Sequence, residues 1–320
     1  MDYFKSALSP LPFHIKNILL NIPSHITSTT YEIRLRTDMP LQLTTDKGCV
    51  FIRENGTTCT NPNADLLVCA KSDILECFRQ LCEYSVHTYQ NDINNGFITI
   101  KGGHRAGLCG SAVALNEKII NIKNISSINI RIAREIAGAA DNYFNKIDKI
   151  ASTLFIGAPS SGKTTVLRDL ARQLSGGRRK RIYKTAVIDT RGELAGVVAG
   201  KPVFNLGYAT DCLNNYPKDV GINIAIRTLS PDVIIFDEIG TTAELTAVCE
   251  GFNAGVHIFT SMHAQGLQDF LNRKLSKDIL ASKTFKYFVF LTGRDNPSAI
   301  SGIMTGDEID NEIHRNIVVV

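Results

Sequence analysis

Apolar and polar positions alternate with different periods in the two parts of this chain. In Tyr31-Glu32-Ile33-Arg34-Leu35-Arg36 apolar and charged residues take turns, which predicts a strand with one face on a core and one basic face; Leu41-Gln42-Leu43 and Cys49-Val50-Phe51-Ile52 are its expected neighbours. A short amphipathic helix is predicted for residues 13–20, between prolines 10, 12 and 23. From Ser72, the expected N-cap, Ile74, Leu75, Cys77, Phe78, Leu81 and Cys82 recur at helical spacing until Tyr84. Glycine-punctuated strands follow at 96–100, 102–113 and 125–134. This pattern predicts an α+β N-terminal domain of antiparallel strands over residues 1–137.

Beyond a small-residue stretch, Ile136-Ala137-Gly138-Ala139-Ala140-Asp141, the pattern changes. Short apolar runs that do not strictly alternate stand at 154–156, 185–189, 233–237, 256–261 and 287–291, separated by helical patterns. Strands of that kind lie in a parallel sheet buried on both faces. Residues 138–320 are therefore expected to form an α/β domain with a central, mainly parallel sheet.

The first of these strands leads into Gly157-Ala158-Pro159-Ser160-Ser161-Gly162-Lys163-Thr164-Thr165, and a helix pattern follows with Val166, Leu167, Leu170, Ala171 and Leu174 on one face. The spacing G-x-x-x-x-G-K-[ST] between strand and helix is that of a phosphate-binding loop, in which backbone N–H groups and a lysine meet the β- and γ-phosphates of a nucleotide. The domain is accordingly expected to be a RecA-like P-loop NTPase fold. Val233-Ile234-Ile235-Phe236 ends in Asp237 and Glu238, the usual acidic partner of such a loop. Asp237 is expected to hold Mg²⁺ through water with the Thr164 hydroxyl as a direct ligand, and Glu238 to orient or deprotonate the attacking water. Asp189, Arg191 and Glu193 end the preceding strand and either support the site or form a strand-end ion cluster. His263 either senses the γ-phosphate or the water, or is structural. Arg227 either neutralises transferred charge as an arginine finger does or pairs with a nearby acid.

Composition adds bounds. With 320 residues, 44% hydrophobic and 21% charged, the chain has room for about two domains with real cores and is neither disordered nor fibrous. No apolar run approaches the roughly 20 residues of a spanning helix, and the N-terminus lacks a signal pattern, so a cytoplasmic location without a membrane span is expected. The eight cysteines, 49, 59, 69, 77, 82, 109, 212 and 249, form no C-x-x-C pair or zinc spacing and are read as reduced thiols, mostly packed. A net charge of +4 does not by itself imply nucleic acid. The run Arg178-Arg179-Lys180-Arg181 is either a solvated loop or a dock for acidic lipid or a partner.

Taken in order, these residues resemble the stage III sporulation protein AA family, in the secretion-ATPase branch of P-loop NTPases. The likeness is carried by Glu32-Ile33-Arg34-Leu35-Arg36, Gly96-Phe97-Ile98-Thr99-Ile100, Gly102-Gly103-His104-Arg105, residues 123–127 and 129–135, and, in the second domain, by the phosphate loop, Asp189, Arg191, Arg227, residues 230–234 and Asp237-Glu238-Ile239-Gly240. It implies an ATPase using ATP and Mg²⁺, peripheral at the mother-cell face of the membrane around the forespore, energising a channel or secretion-like complex of integral membrane proteins. Similar ATPases are homo-oligomers, with hexameric rings. The likeness puts Asp189 and Glu193 in an acidic box and His263 in a histidine box, and makes Arg105 and Arg131 arginines that reach the phosphates unless they are charges on a solvated strand face. After Gly240, where the family carries a basic residue, Thr241-Thr242 stand, which removes the basis for an arginine there. Two other readings stay open: a nucleic-acid-stimulated ATPase, against which stand the mild charge and the lack of an aromatic–basic stacking platform, and a nucleotide-gated scaffold with little hydrolysis.

Overall fold

The computed structural model describes residues 2–62, 65–115, 118–198 and 200–317. They form two compact units, Met1–Arg134 and Glu135–Val320.

The first unit is built on a seven-stranded sheet in the spatial order Thr58–Cys59, Gly48–Ile52, Gln42–Thr45, Thr30–Arg36, Lys118–Arg131, His104–Leu115, Phe97–Ile100. Every pairing is antiparallel. The alternation read from the sequence explains which face is covered: Ile33, Leu35, Leu43, Ile98, Ala106, Ile128 and Ile130 join a core with Leu8, Ile15, Leu19, Ile74, Cys77 and Leu81 from the helices. Each Ile or Leu among them contributes about 1.5–3 kcal/mol on burial, so a one-residue slip in register would be far more costly than any single contact. On the other face, register places Glu32 beside Arg131 and Arg131 beside Arg105.

The helix expected from Ser72 begins at Lys71 instead, with Ala70 at the N-cap position. The cause is Asp73, whose carboxylate accepts the Ala70 N–H (2.8 Å). Its end also falls earlier, at Leu81, because Glu83 and Tyr84 both take left-handed backbone (φ 47° and 59°).

Within this unit His104 is fully buried. Its Nδ1 accepts the Ala133 N–H (3.1 Å), so the ring proton sits on Nε2 and is donated to Ser6 Oγ (2.8 Å), which donates to the Tyr3 carbonyl (2.9 Å). Burial brings the imidazole pKa down to about 4. The unfolded chain, with an ordinary value near 6.5, takes up the proton first as pH falls, so the stability from neutral His104 is complete above about 6.5 and is lost between there and about 4. The loss should reach about 3 kcal/mol. Urea midpoints measured at pH 7.5 and 5 should drop in the natural protein and drop less in His104→Gln; equal drops would remove His104 as the cause.

The second unit holds a seven-stranded sheet in the order Thr210–Asn214, Thr185–Asp189, Val233–Phe236, His257–His263, Thr153–Gly157, Tyr287–Leu291, Ile300–Thr305. Six strands are parallel, and the edge strand Ile300–Thr305 is antiparallel to its neighbour. Both faces are buried. Leu154, Ile156, Ile188, Ile234, Phe236 and Ile258 point into one core, and Phe155, Val187, Val233, Ile235 and Phe259 into another beneath the helix Lys163–Ser175. Strands buried on both sides need no alternation, which is why their sequences show none. This is a P-loop NTPase fold of mixed α/β class, with its phosphate strand between neighbours much later in sequence.

All eight cysteines are free thiols; Cys69, Cys77 and Cys82 are buried, whereas Cys49 and Cys109 are exposed. The basic run is more anchored than a solvated loop. Arg178 pairs with Asp141 (2.5 Å) and stacks on Phe144, and Arg181 stacks on Tyr183. Lys180 is exposed, and the Arg179 side chain lies outside the described residues.

Candidate nucleotide site

Parallel strands deliver their carboxyl ends to one edge of the sheet, and the candidate residues lie there. Gly157 ends the strand Thr153–Gly157, and the helix Lys163–Ser175 starts directly after Gly162, whose φ is 89°. A Cβ at Gly162 would stand 2.5 Å from Ser298 Oγ and 2.7 Å from Ser298 N, so glycine is required both by the backbone and by the loop packed against it. That loop is fixed by the Ser298 N–H, which donates to the Ser161 carbonyl (2.8 Å). The Ser161 hydroxyl is buried with no hydrogen-bond partner among the described residues.

Lys163 folds back over its own loop, donating to the Gly157 and Ala158 carbonyls (2.8 Å each) and standing 3.2 Å from His263 Nδ1. Burial lowers its pKa, against the opposing pull of Asp237 and Glu238. The Thr164 hydroxyl donates to Asp237 (2.6 Å), which also accepts from Ser261 Oγ (2.7 Å). His263 Nε2 lies 3.8 Å from Glu238 Oε2. Lys163, Thr164, Asp237, Glu238 and His263 are thus one constellation, assembled from three strand ends.

Glu238 itself has left-handed backbone, φ 56°. Its N–H donates to Ser261 Oγ (3.2 Å), the Ile239 N–H to the Ser261 carbonyl (2.8 Å), and the Gly240 and Thr241 N–H groups to the Glu244 carboxylate (2.7 and 3.1 Å). Lys218, a residue the sequence reading passed over, donates to the Glu238 carbonyl (2.5 Å).

The remaining candidates lie elsewhere. Asp189 is at the same edge but is buried, and its carboxylate accepts the Glu193, Ala195 and Gly196 N–H groups (2.9, 2.8 and 3.2 Å). It shapes the loop rather than facing outward. Arg168 holds that loop from below, donating to the Leu194 carbonyl (3.1 Å) and stacking on Phe204 (3.7 Å); it too went unnoticed in the sequence. Arg191 is exposed on the loop. Arg227 is exposed near the end of the helix Lys218–Leu229, which leads into the start of Val233–Phe236. That is the opposite edge of the sheet, so Arg227 is not brought to the constellation of its own chain. In the first unit, Arg105 stacks on Phe97 (3.8 Å), and Arg131 pairs with Glu32 (3.4 Å).

The Thr164 hydroxyl and the Asp237 carboxylate offer the hard oxygen donors that Mg²⁺ prefers, and Mg²⁺ needs only one or two from protein. Together with the left-handed glycine and the orphan Ser161 hydroxyl, the residues fit a magnesium–nucleotide complex.

Comparison with known proteins identifies the family and the fold. The family described as "Sporulation stage III, protein AA" matches residues 6–309. Stage III sporulation protein AA of Bacillus subtilis (strain 168) is 33% identical over 300 residues, 93% of this chain and 94% of that protein. Among solved structures, the Legionella pneumophila ATPase DotB aligns with a TM-score of 0.51 at 14% identity, over 88% of this chain and 76% of that one. The pilus retraction motor PilT with bound ADP aligns with a TM-score of 0.52 at 12% identity, over 82% and 74%. At such identities the structural likeness shows the fold alone. With the family matched over almost its whole length, the chain belongs to the sporulation stage III protein AA family.

Proposed function

We propose that this protein hydrolyses ATP to ADP and phosphate as a motor, and couples domain movement to a sporulation channel or secretion-like complex. The observation that carries the reading is the meeting of Thr164 and Asp237 at 2.6 Å, with Lys163 and Glu238 alongside. Loop N–H groups from 157–165 bind the phosphates, and Lys163 leaves the Gly157 and Ala158 carbonyls to pair with them. Magnesium, when bound, supplies charge neutralisation on the β- and γ-phosphates, with Thr164 and Asp237 as the residues that hold it. Glu238 orients the water and takes its proton as the new oxygen–phosphorus bond forms; the bond from the γ-phosphorus to the bridging oxygen breaks, and ADP leaves. His263, between Lys163 and Glu238, carries the change at the phosphates to the glutamate.

The motor part of the reading draws support from the family and from the fold shared with an ATPase and a pilus retraction motor. Asp189, Arg191 and Glu193 then form the supporting loop, Arg105, Arg131 and Arg227 are arginines that meet the phosphates in a homo-oligomeric ring, and integral membrane proteins of the channel are the partners at the mother-cell membrane. No helix among the described residues is long and apolar enough to cross a membrane, so attachment would be peripheral.

ATPase rates measured with and without single-stranded DNA or RNA, and with and without channel proteins or lipid, test this. Turnover should rise with the channel proteins or lipid and stay unchanged with nucleic acid. Stimulation by nucleic acid alone would replace the motor by a nucleic-acid-stimulated ATPase, and binding without turnover in any mixture would leave a nucleotide-gated scaffold.

A further inference from the structure

A lysine at the first position of a helix is unfavourable, because the positive end of the helix dipole repels it. Lys218 holds that position in the helix Lys218–Leu229, directly after Pro217. Its side chain is only 15% exposed, and it spans from this helix to the turn that follows Asp237 and to the first turn of the helix Thr242–Asn253 beyond it. On the former it meets the Glu238 carbonyl, at 2.5 Å. On the latter it meets Glu244, at 3.4 Å, whose own side chain is 13% exposed.

Glu244 in turn accepts the Gly240 and Thr241 N–H groups, as the partner of the N-cap Thr241 in the capping box that opens the helix Thr242–Asn253. The two side chains therefore grip the turn from both sides, one by its carbonyl and one by its amides. Between them lies Glu238 in left-handed backbone, a conformation that a residue with a Cβ avoids unless its surroundings impose it. Strained backbone held by charge-assisted bonds from two half-buried side chains, at the residue whose carboxylate faces the reaction, is pre-organisation rather than ordinary packing.

We propose that Lys218, braced by Glu244, is a positioning residue that holds Glu238 in its left-handed conformation and so aims the carboxylate at the water; the proposal rests on Glu238 acting as proposed above. The position after Gly240 has no basic side chain in this chain, and the charge on the turn comes instead from the neighbouring helix. Lys218 acts through the main chain of Glu238.

Lys218→Met and Lys218→Arg, each made in the natural protein and in Glu238→Gln, provide the test. Lys218→Met should slow single-turnover ATP hydrolysis by about 10- to 100-fold, the worth of a hydrogen bond to a charged group, with ATP affinity kept within about twofold. Lys218→Arg should recover most of the rate, and in the Glu238→Gln background Lys218→Met should change the residual rate by no more than about twofold. In a crystal structure of Lys218→Met, Glu238 should leave the left-handed region. An unchanged Glu238 φ, or an equal loss of rate with and without the Glu238 carboxylate, would overturn the proposal. If the natural protein hydrolyses no ATP, it is the proposed function that fails, and the Glu238 φ in Lys218→Met still decides whether the lysine holds the turn.

Discussion

Glu238→Gln is expected to lower ATP turnover by about 1,000-fold while nucleotide stays bound, within the range that a positioned general base contributes. The geometry makes this a clean substitution. Every bond that fixes the Glu238 turn is made by main-chain groups: its N–H to Ser261, its carbonyl to Lys218, and the following amides to Ser261 and Glu244. Among the described residues the carboxylate's ion-pair neighbour is His263, at 3.8 Å, beyond hydrogen-bond reach. Glutamine keeps the shape and removes the basicity, so the melting temperature should move little and ATP affinity should hold. Phosphate release, nucleotide retention on filters and melting temperature measured together separate the cases. Normal hydrolysis by the glutamine protein would take the water-orienting role away from Glu238, and loss of binding along with turnover would show that the carboxylate serves the phosphates instead.

What the sequence made legible follows from how local each signal is. The phosphate loop, the helix after it and the two acids at 237–238 are contiguous motifs whose chemistry needs fixed spacing, and they meet in space because parallel strands send their carboxyl ends to one edge. The antiparallel first unit was readable from alternation, since one face of that sheet packs on a core and the other carries Arg34, Arg105 and Arg131. What stayed hidden depends on partners distant in the chain. Lys218 reads as an ordinary helix-start residue until the turn at Glu238, about 20 positions on, is folded against it. Ser298 gives no hint of its place against Gly162. Asp189 ends a strand at the right edge, where spacing leaves support of the site and a strand-end ion cluster equally open; three loop amides take its carboxylate, a capping role that spacing does not distinguish. Arg227 is close in sequence to the acidic strand, but at the strand's beginning and not its end, a distinction that only the folded sheet makes.

Lys163→Ala should abolish turnover and weaken ATP binding by more than about 100-fold. Two losses act together. The first is the charge that would pair with the β- and γ-phosphates, in partly desolvated surroundings that lower the lysine pKa and, with a lower dielectric, strengthen its attraction to an anion. The second concerns the loop before nucleotide arrives: Lys163 now satisfies the Gly157 and Ala158 carbonyls, and alanine would leave both without that donor. The loop is otherwise held by Ser298 on the Ser161 carbonyl, so it should loosen without unfolding the sheet beneath, where Leu154, Phe155 and Ile156 are fully buried. Faster amide hydrogen exchange confined to 157–165, with unchanged exchange in the strand Val233–Phe236, is the expected signature. His263 also loses its neighbour at Nδ1, and its contact with Glu238 becomes the only tie among these three side chains. Isothermal titration with ATP and magnesium measures the binding arm. Retained affinity with lost turnover would shift Lys163 from a ground-state phosphate ligand to one that acts only as charge develops on the departing phosphate, and retained turnover would remove it from the site altogether.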